Sequence, residues 1–177
     1  MSVTAAAVSS GSGADQAIGA HNVFVYGSLM AEDVVRILLK RVPQSTPAIL
    51  HDFHRFSING RVYPAILPVD KKSVNGKVLM GITGPELDIL DTFEDVEYER
   101  RDVDVTLVGS SETLKAVAYV WGNLSDLNLY GEWDFEAWKK KHMEDFTKMV
   151  KAFMEELEMP ESKSRVTTYE AFFEKDM

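Results

Sequence analysis

Two short segments of this chain put chemically useful residues where the backbone must change direction. In Val25-Tyr26-Gly27-Ser28-Leu29-Met30, the apolar, β-rich run Val23-Phe24-Val25-Tyr26 meets Gly27-Ser28 just ahead of a helical pattern. Glycine at such a joint permits close backbone approach, and the N–H groups of the turn that follows can face an anion. Ser28 adds a short hydroxyl donor. On its own, the segment fits an ordinary strand–turn–helix joint at least as well.

The second segment is acidic. Asp88, Asp91, Glu94, Asp95, Glu97 and Glu99 fall within residues 87–101, and Arg100 and Arg101 close the run. Runs of this kind are ordinarily solvated helix ends. Glu94 stands apart because it follows Phe93 at the end of an apolar stripe, where the chain must turn back toward a sheet. A carboxylate beside an aromatic ring and partly out of water exchanges protons closer to neutrality, as a general acid or base does. Glu97 and Glu99 are expected to be surface partners of Arg100 and Arg101.

Other constellations carry less. His51 and His54 are three apart in a strand-like run, so they should point to opposite faces and not converge on a metal; no metal site is expected. Ser28 lacks a Gly-x-Ser-x-Gly elbow and a recognisable base, which argues against a serine hydrolase. The absence of cysteine excludes thiol catalysis, a disulfide framework and thiolate-ligated metals. Trp133, Trp138, Phe146 and the methionines nearby read as core rather than as a ligand cage.

The elements that would hold these residues follow from periodicity. A strand ends at Gly27-Ser28, and residues 31–41 form a helix whose apolar stripe is Val34, Val35, Leu38 and Leu39. Residues 48–58 and 61–67 read as strands joined by a hairpin at Asn59-Gly60. Asn75-Gly76 reads as a second tight turn, and residues 77–82 as another strand. A short helix spans 85–92, strands cover 103–107 and 116–121, and residues 134–158 form an amphipathic helix about 37 Å long. This order is not the alternation of a doubly wound fold. It predicts an α+β mixed sheet curled into a barrel with flanking helices.

At 177 residues, the chain has the length of one domain. Residues 1–20 hold 13 Ala, Ser or Gly and one charge, and are expected to be a disordered leader. Residues 21–160 form the expected domain, and 161–177 a C-terminal tail. A formal charge of −9 disfavours a nucleic-acid partner, and no apolar run reaches the roughly 20 residues of a membrane span. A soluble, cytoplasmic, monomeric protein is the expectation.

Taken together, Tyr-Gly-Ser-Leu after the first strand and Leu-Asp-x-Phe-Glu-x-x-x-Tyr-x-Arg after a helix resemble the γ-glutamylcyclotransferase-like superfamily. Arg61-Val62-Tyr63-Pro64-Ala65-Ile66 and Tyr130-Gly131-Glu132-Trp133-Asp134-Phe135 bring the resemblance to its plant avirulence-induced-gene-2-like branch. It covers residues 22–158. The resemblance implies a small barrel with a pocket near the first turn and an enzyme that cyclises a γ-glutamyl group to 5-oxoproline, releasing a free amine without metal or cofactor. Its anion-binding turn falls on Tyr26, Gly27, Ser28, Leu29, Met30 and Ala31. Its general acid/base falls on Glu94, and its pocket-shaping tyrosine on Tyr98. Asp95 departs from the family, which more often has glycine after its glutamate. The rival expectations are a catalytically silent module that keeps the pocket, and an interaction protein built on the long helix and the tail.

Overall fold

β1 (His21–Val25) is apolar because neighbours cover it on both sides; Val23 and Phe24 have no solvent exposure. The computed structural model describes residues 21–158; the expected leader at 1–20 and tail at 161–177 lie outside the described residues. The longest strands are β2 (Ser45–Ile58) and β3 (Ala65–Ile82), followed by β4 (Tyr98–Leu107) and β5 (Thr113–Trp121). β1 pairs antiparallel with β3, β3 with β2, β2 with β4 and β4 with β5, and β5 returns to β1 in parallel. The sheet therefore closes into a five-stranded mixed barrel, which removes free edges. The two-residue β6 (Leu129–Tyr130) adds to the outer end of β2 through Ser57 and Ile58.

Closure requires the long strands to coil. Between His51 and Phe53 the β2–β3 register slips, with Asp52 and Lys71 both in left-handed backbone (φ 66 and 68). Asp52 Oδ1 accepts a hydrogen bond from Lys71 N at 2.9 Å and fastens this bulge, a device that bends and twists a strand pair.

Helices flank the barrel. α1 (Glu32–Leu39) buries Val34, Val35, Leu38 and Leu39, as its spacing predicts. α2 (Gly84–Glu94) starts from a capping box, with Thr83 accepting from Glu86 N and Glu86 accepting from Thr83 N. α3 (Phe135–Leu157) begins at Asp134, whose carboxylate accepts from Ala137 N, and packs against α1. Its buried face, including Trp138, Phe146, Val150 and Phe153, carries the apolar stripe read from sequence. Each buried aromatic contributes about 1.5–3 kcal/mol by leaving water.

Two strand assignments need correction. Asn75-Gly76 is not a turn: both residues lie inside β3, opposite Ile49 and Ala48, and β3 runs unbroken to Ile82. Glycine stands there for another reason, since a Cβ on Gly76 would lie 2.2 Å from Val25 O. The close packing of β1 on β3 demands it. The turn at Asn59-Gly60 is present, with Gly60 at φ 82, but the chain does not resume as strand at Arg61. Pairing restarts at Ala65, across from Phe56, because Pro64 has no N–H to donate and Arg61 and Tyr63 turn aside to meet Glu97.

Candidate functional site

β1 delivers the chain to Tyr26, after which a one-turn 3-10 helix, Ser28–Met30, leads into α1. Met30 N donates to Gly27 O (2.9 Å) and Ala31 N to Ser28 O (3.0 Å). The preceding N–H groups, on Ser28 and Leu29, open the turn and have no acceptor within it. Tyr26 is held from two sides. Its hydroxyl donates to Tyr119 O (2.6 Å), and its carbonyl accepts from Arg55 Nη1 (2.7 Å). Ser28 is buried. Gly27 is tightly confined, because a Cβ there would come within 2.8 Å of Pro64 Cδ and 2.9 Å of Cγ.

Glu94 is the last residue of α2. The preceding Phe93 is sunk into the core, edge-on to Phe153 (5.4 Å between ring centres) and Phe146 (6.3 Å) on α3. That anchor leaves Glu94 half-buried at the helix end. The chain breaks from the helix at Asp95, which takes φ 63 and ψ −161. A second one-turn 3-10 helix, Asp95–Glu97, then brings Tyr98 to the start of β4. Tyr98 packs its ring edge-on to Trp121 and donates its hydroxyl to Pro64 O at 2.8 Å.

These pieces meet around one pocket that is partly open to solvent. Tyr26, Gly27, Ser28 and Leu29 line it from the turn, and Phe93, Glu94 and Tyr98 from the end of α2 and the start of β4. Phe24, Tyr63, Pro64, Tyr119 and Phe146 complete the lining. Met30 and Ala31 are not among the lining residues: Met30 is half-buried against the core, and Ala31 is the buried N-cap of α1.

Two polar clusters beside the pocket escape local reading of the sequence. Tyr119 Oη donates to Asp91 Oδ1 (2.6 Å), and Arg100 Nη1 donates to Asp91 Oδ2 (2.7 Å). Burial first, then the bond to Asp91 and the Glu94 charge, push the Tyr119 hydroxyl well above its ordinary range, so it stays a neutral phenol. In the other cluster, Arg61 Nη1 donates to Glu97 Oε2 (2.7 Å) and Tyr63 Oη to Glu97 Oε1 (3.1 Å), while Arg61 also meets the Tyr63 hydroxyl. Glu97 is therefore no surface partner of Arg100 or Arg101. It is a half-buried tie between the 61–64 loop and the segment after Glu94. Glu99 does pair with Arg101 (3.1 Å). The paired ends of the Arg61–Glu97 tie are 36 residues apart in sequence, a separation at which no short motif signals contact.

Among the described residues, no group of three His, Asp or Glu could hold a metal ion, and His54 Nε2 donates to Gly131 O (2.8 Å). No helix among them is long and apolar enough to cross a membrane.

The sequence matches the family model described as gamma-glutamyl cyclotransferase, AIG2-like, over residues 23–137. AIG2-like protein D of Arabidopsis thaliana is 62% identical over 143 residues, which are 80% of this chain and 94% of that protein. AIG2-like protein C of the same plant is 52% identical over 158 residues, 89% of this chain and 92% of that protein. Among solved structures, an A. thaliana protein studied in solution is 44% identical and superposes with a TM-score of 0.61, covering 80% of this chain and 95% of its own. A structure described as a gamma-glutamyl cyclotransferase superposes with a TM-score of 0.54 over 75% of this chain and 86% of its own; at 17% identity the likeness is one of fold.

Proposed function

The chain belongs to the gamma-glutamyl cyclotransferase, AIG2-like family, and we propose that it catalyses the intramolecular cyclisation of a γ-glutamyl amide to 5-oxoproline with release of the free amine. The observation that carries this reading is the placement of Glu94 in the same pocket as the Tyr26–Leu29 turn, although 64 residues of chain lie between Leu29 and Glu94. One group can move protons there, and the other can hold an anion.

The substrate's α-carboxylate would sit at the turn, against the N–H groups of Gly27 and of Ser28 and Leu29, which open the 3-10 helix. Its α-ammonium would then face Glu94. Glu94 takes a proton from that ammonium, and the freed amine attacks the γ-carbonyl carbon, closing a five-membered lactam ring. As the bond from the γ-carbon to the departing nitrogen breaks, protonated Glu94 gives its proton to that nitrogen. It then takes the second proton of the attacking nitrogen, leaving a neutral lactam; that proton passes to the released amine, which departs as an ammonium ion. One carboxylate within reach of both nitrogens serves these transfers, and the net products are 5-oxoproline and the amine. Holding the amine against the carbonyl makes the attack unimolecular, which lowers the barrier by several kcal/mol in well-oriented systems. Tyr119, kept neutral, adds no second negative charge to the pocket beside Glu94.

The test is incubation with a panel of γ-glutamyl amines and γ-glutamyl dipeptides, followed by measurement of 5-oxoproline. Turnover of at least one member is expected. A folded Glu94→Gln variant should then lose about 10²–10⁴-fold in kcat while binding substrate nearly as well. Wild-type turnover in Glu94→Gln would remove Glu94 from the mechanism. A wild type that binds the panel without producing 5-oxoproline would make the domain a silent binding module.

A further inference from the structure

Arg55 is a charged residue of β2 with no pairing carboxylate within 4 Å among the described residues. It has no place in the chemistry above. Its Nη1 uses both hydrogens on main-chain carbonyls, donating to Tyr26 O (2.7 Å) and Asn75 O (2.9 Å). The guanidinium lies over the Trp133 ring, 5.7 Å from its centre, and the Arg55 carbonyl accepts from Trp133 N (3.2 Å). Its Nε is buried with no hydrogen-bond partner among the described residues. Burial lowers its pKa from the ordinary arginine value, and Glu132 opposes that from a distance. Arginine stays charged regardless, so a cation is being kept half-buried at the root of the turn. Side chains so placed are costly unless something needs the charge there.

The peptide geometry says what that need is. The Tyr26–Gly27 bond is trans, so the Tyr26 carbonyl and the Gly27 N–H point in opposite directions from one rigid plane. Arg55 takes the carbonyl on the β2 side, and it is not among the residues lining the pocket, whereas Tyr26 and Gly27 are. With the carbonyl fixed on that side, the Gly27 N–H is held on the opposite side of the peptide plane, and Gly27 itself lines the pocket. A cation hydrogen-bonded to the carbonyl also polarises the peptide and strengthens its N–H as a donor. Pro64 leaves no room for a side chain at position 27, so the backbone there is free of a Cβ. The same guanidinium grips the carbonyl of Asn75, next to Gly76, where β1 leaves no room for a side chain on β3.

We infer that Arg55 is a positioning residue that clamps the Tyr26 carbonyl from behind, so that the Gly27 N–H is aimed and polarised to bind the α-carboxylate of the substrate. The inference rests on the proposed role of the turn as carboxylate anchor, and it assigns the holding of that anchor to a residue outside the pocket.

The test uses the full chain labelled with nitrogen-15, with L-glutamate as the probe carrying the α-carboxylate and α-ammonium. The Gly27 amide resonance is expected to move as glutamate is added. Arg55→Met should shift that resonance before any ligand is present and weaken glutamate binding by about tenfold or more, the usual scale for losing a charged hydrogen bond. In turnover, KM should rise with the pH profile of kcat unmoved, because Glu94 is untouched. Arg55→Lys, which keeps the charge and a donor, should recover part of the affinity. If Arg55→Met does not fold, Arg55→Gln supplies the neutral variant. Wild-type affinity in a folded neutral variant, or a Gly27 amide that ignores glutamate in the wild type, overturns the clamp. A wild type that binds glutamate at Gly27 but turns over no γ-glutamyl amide overturns the proposed activity and leaves the clamp standing.

Discussion

Replacing Asp95 by glycine should stabilise the protein, although it deletes a side chain that makes a hydrogen bond. Asp95 follows the last residue of α2 with φ 63 and ψ −161, a backbone region that residues with a Cβ avoid at a cost of about 1–3 kcal/mol. Its Oδ2 is buried without a hydrogen-bond partner among the described residues, which adds about 1 kcal/mol or more to that cost. Two terms oppose the relief. Oδ1 accepts from Val96 N at 2.8 Å in an exposed position, a bond of about 0.5–1 kcal/mol, and glycine gives the unfolded chain about 0.5–1 kcal/mol more freedom. The balance favours Asp95→Gly by about 1–2 kcal/mol. For a domain of this size that is a rise in Tm of about 3–6 °C. Thermal unfolding followed by circular dichroism measures it, and the urea midpoint should rise with an unchanged m-value. An unaltered or lower Tm would refute the reasoning, since it would mean that the side chain contributes more to folding than its backbone conformation costs.

The remaining expectations concern what surrounds the pocket. Glu97→Gln should raise KM several-fold by loosening Tyr63, which Glu97 ties and which lines the pocket, whereas Glu99→Gln should match wild type; steady-state kinetics with a turned-over γ-glutamyl amide separates the two. The Arg41 hydrogen bond holds the Glu86 carboxyl below its ordinary range, so as pH falls the unfolded chain takes up that proton first. The stabilisation is present above the ordinary carboxylate pKa and is lost as pH drops through the lower folded value; Glu86→Gln should flatten that part of the acid limb in a plot of urea midpoint against pH.

What the sequence announces and what it hides at this site differ in kind. The turn after β1 and the glutamate after Phe93 are local patterns: a strand stopped by Gly-Ser, and an apolar stripe ending in a carboxylate. Each can be read from a window of a dozen residues, and the structure sets both on one pocket. α1 and α3 were readable for the same reason, because their apolar spacing is a property of the helix itself. Asn75-Gly76 shows the limit. Its turn chemistry is real, but the packing of β1 overrides it, since Val25 O occupies the space any side chain at 76 would need. Local propensity gives way wherever barrel closure brings two backbones together. The ties around the pocket lie beyond any window: Arg55 to Tyr26 spans 29 residues, Tyr119 to Asp91 spans 28, and Arg61 to Glu97 spans 36. Each joins a residue at or beside the pocket to a different strand or loop of the barrel. Sequence therefore names the groups that could touch a substrate, while the closed barrel decides how rigidly each is held. That division predicts where variation should act: changes at Glu94 or Gly27 alter what the pocket can do, and changes at Arg55, Glu97 or Asp91 alter how firmly the pocket residues are held in place.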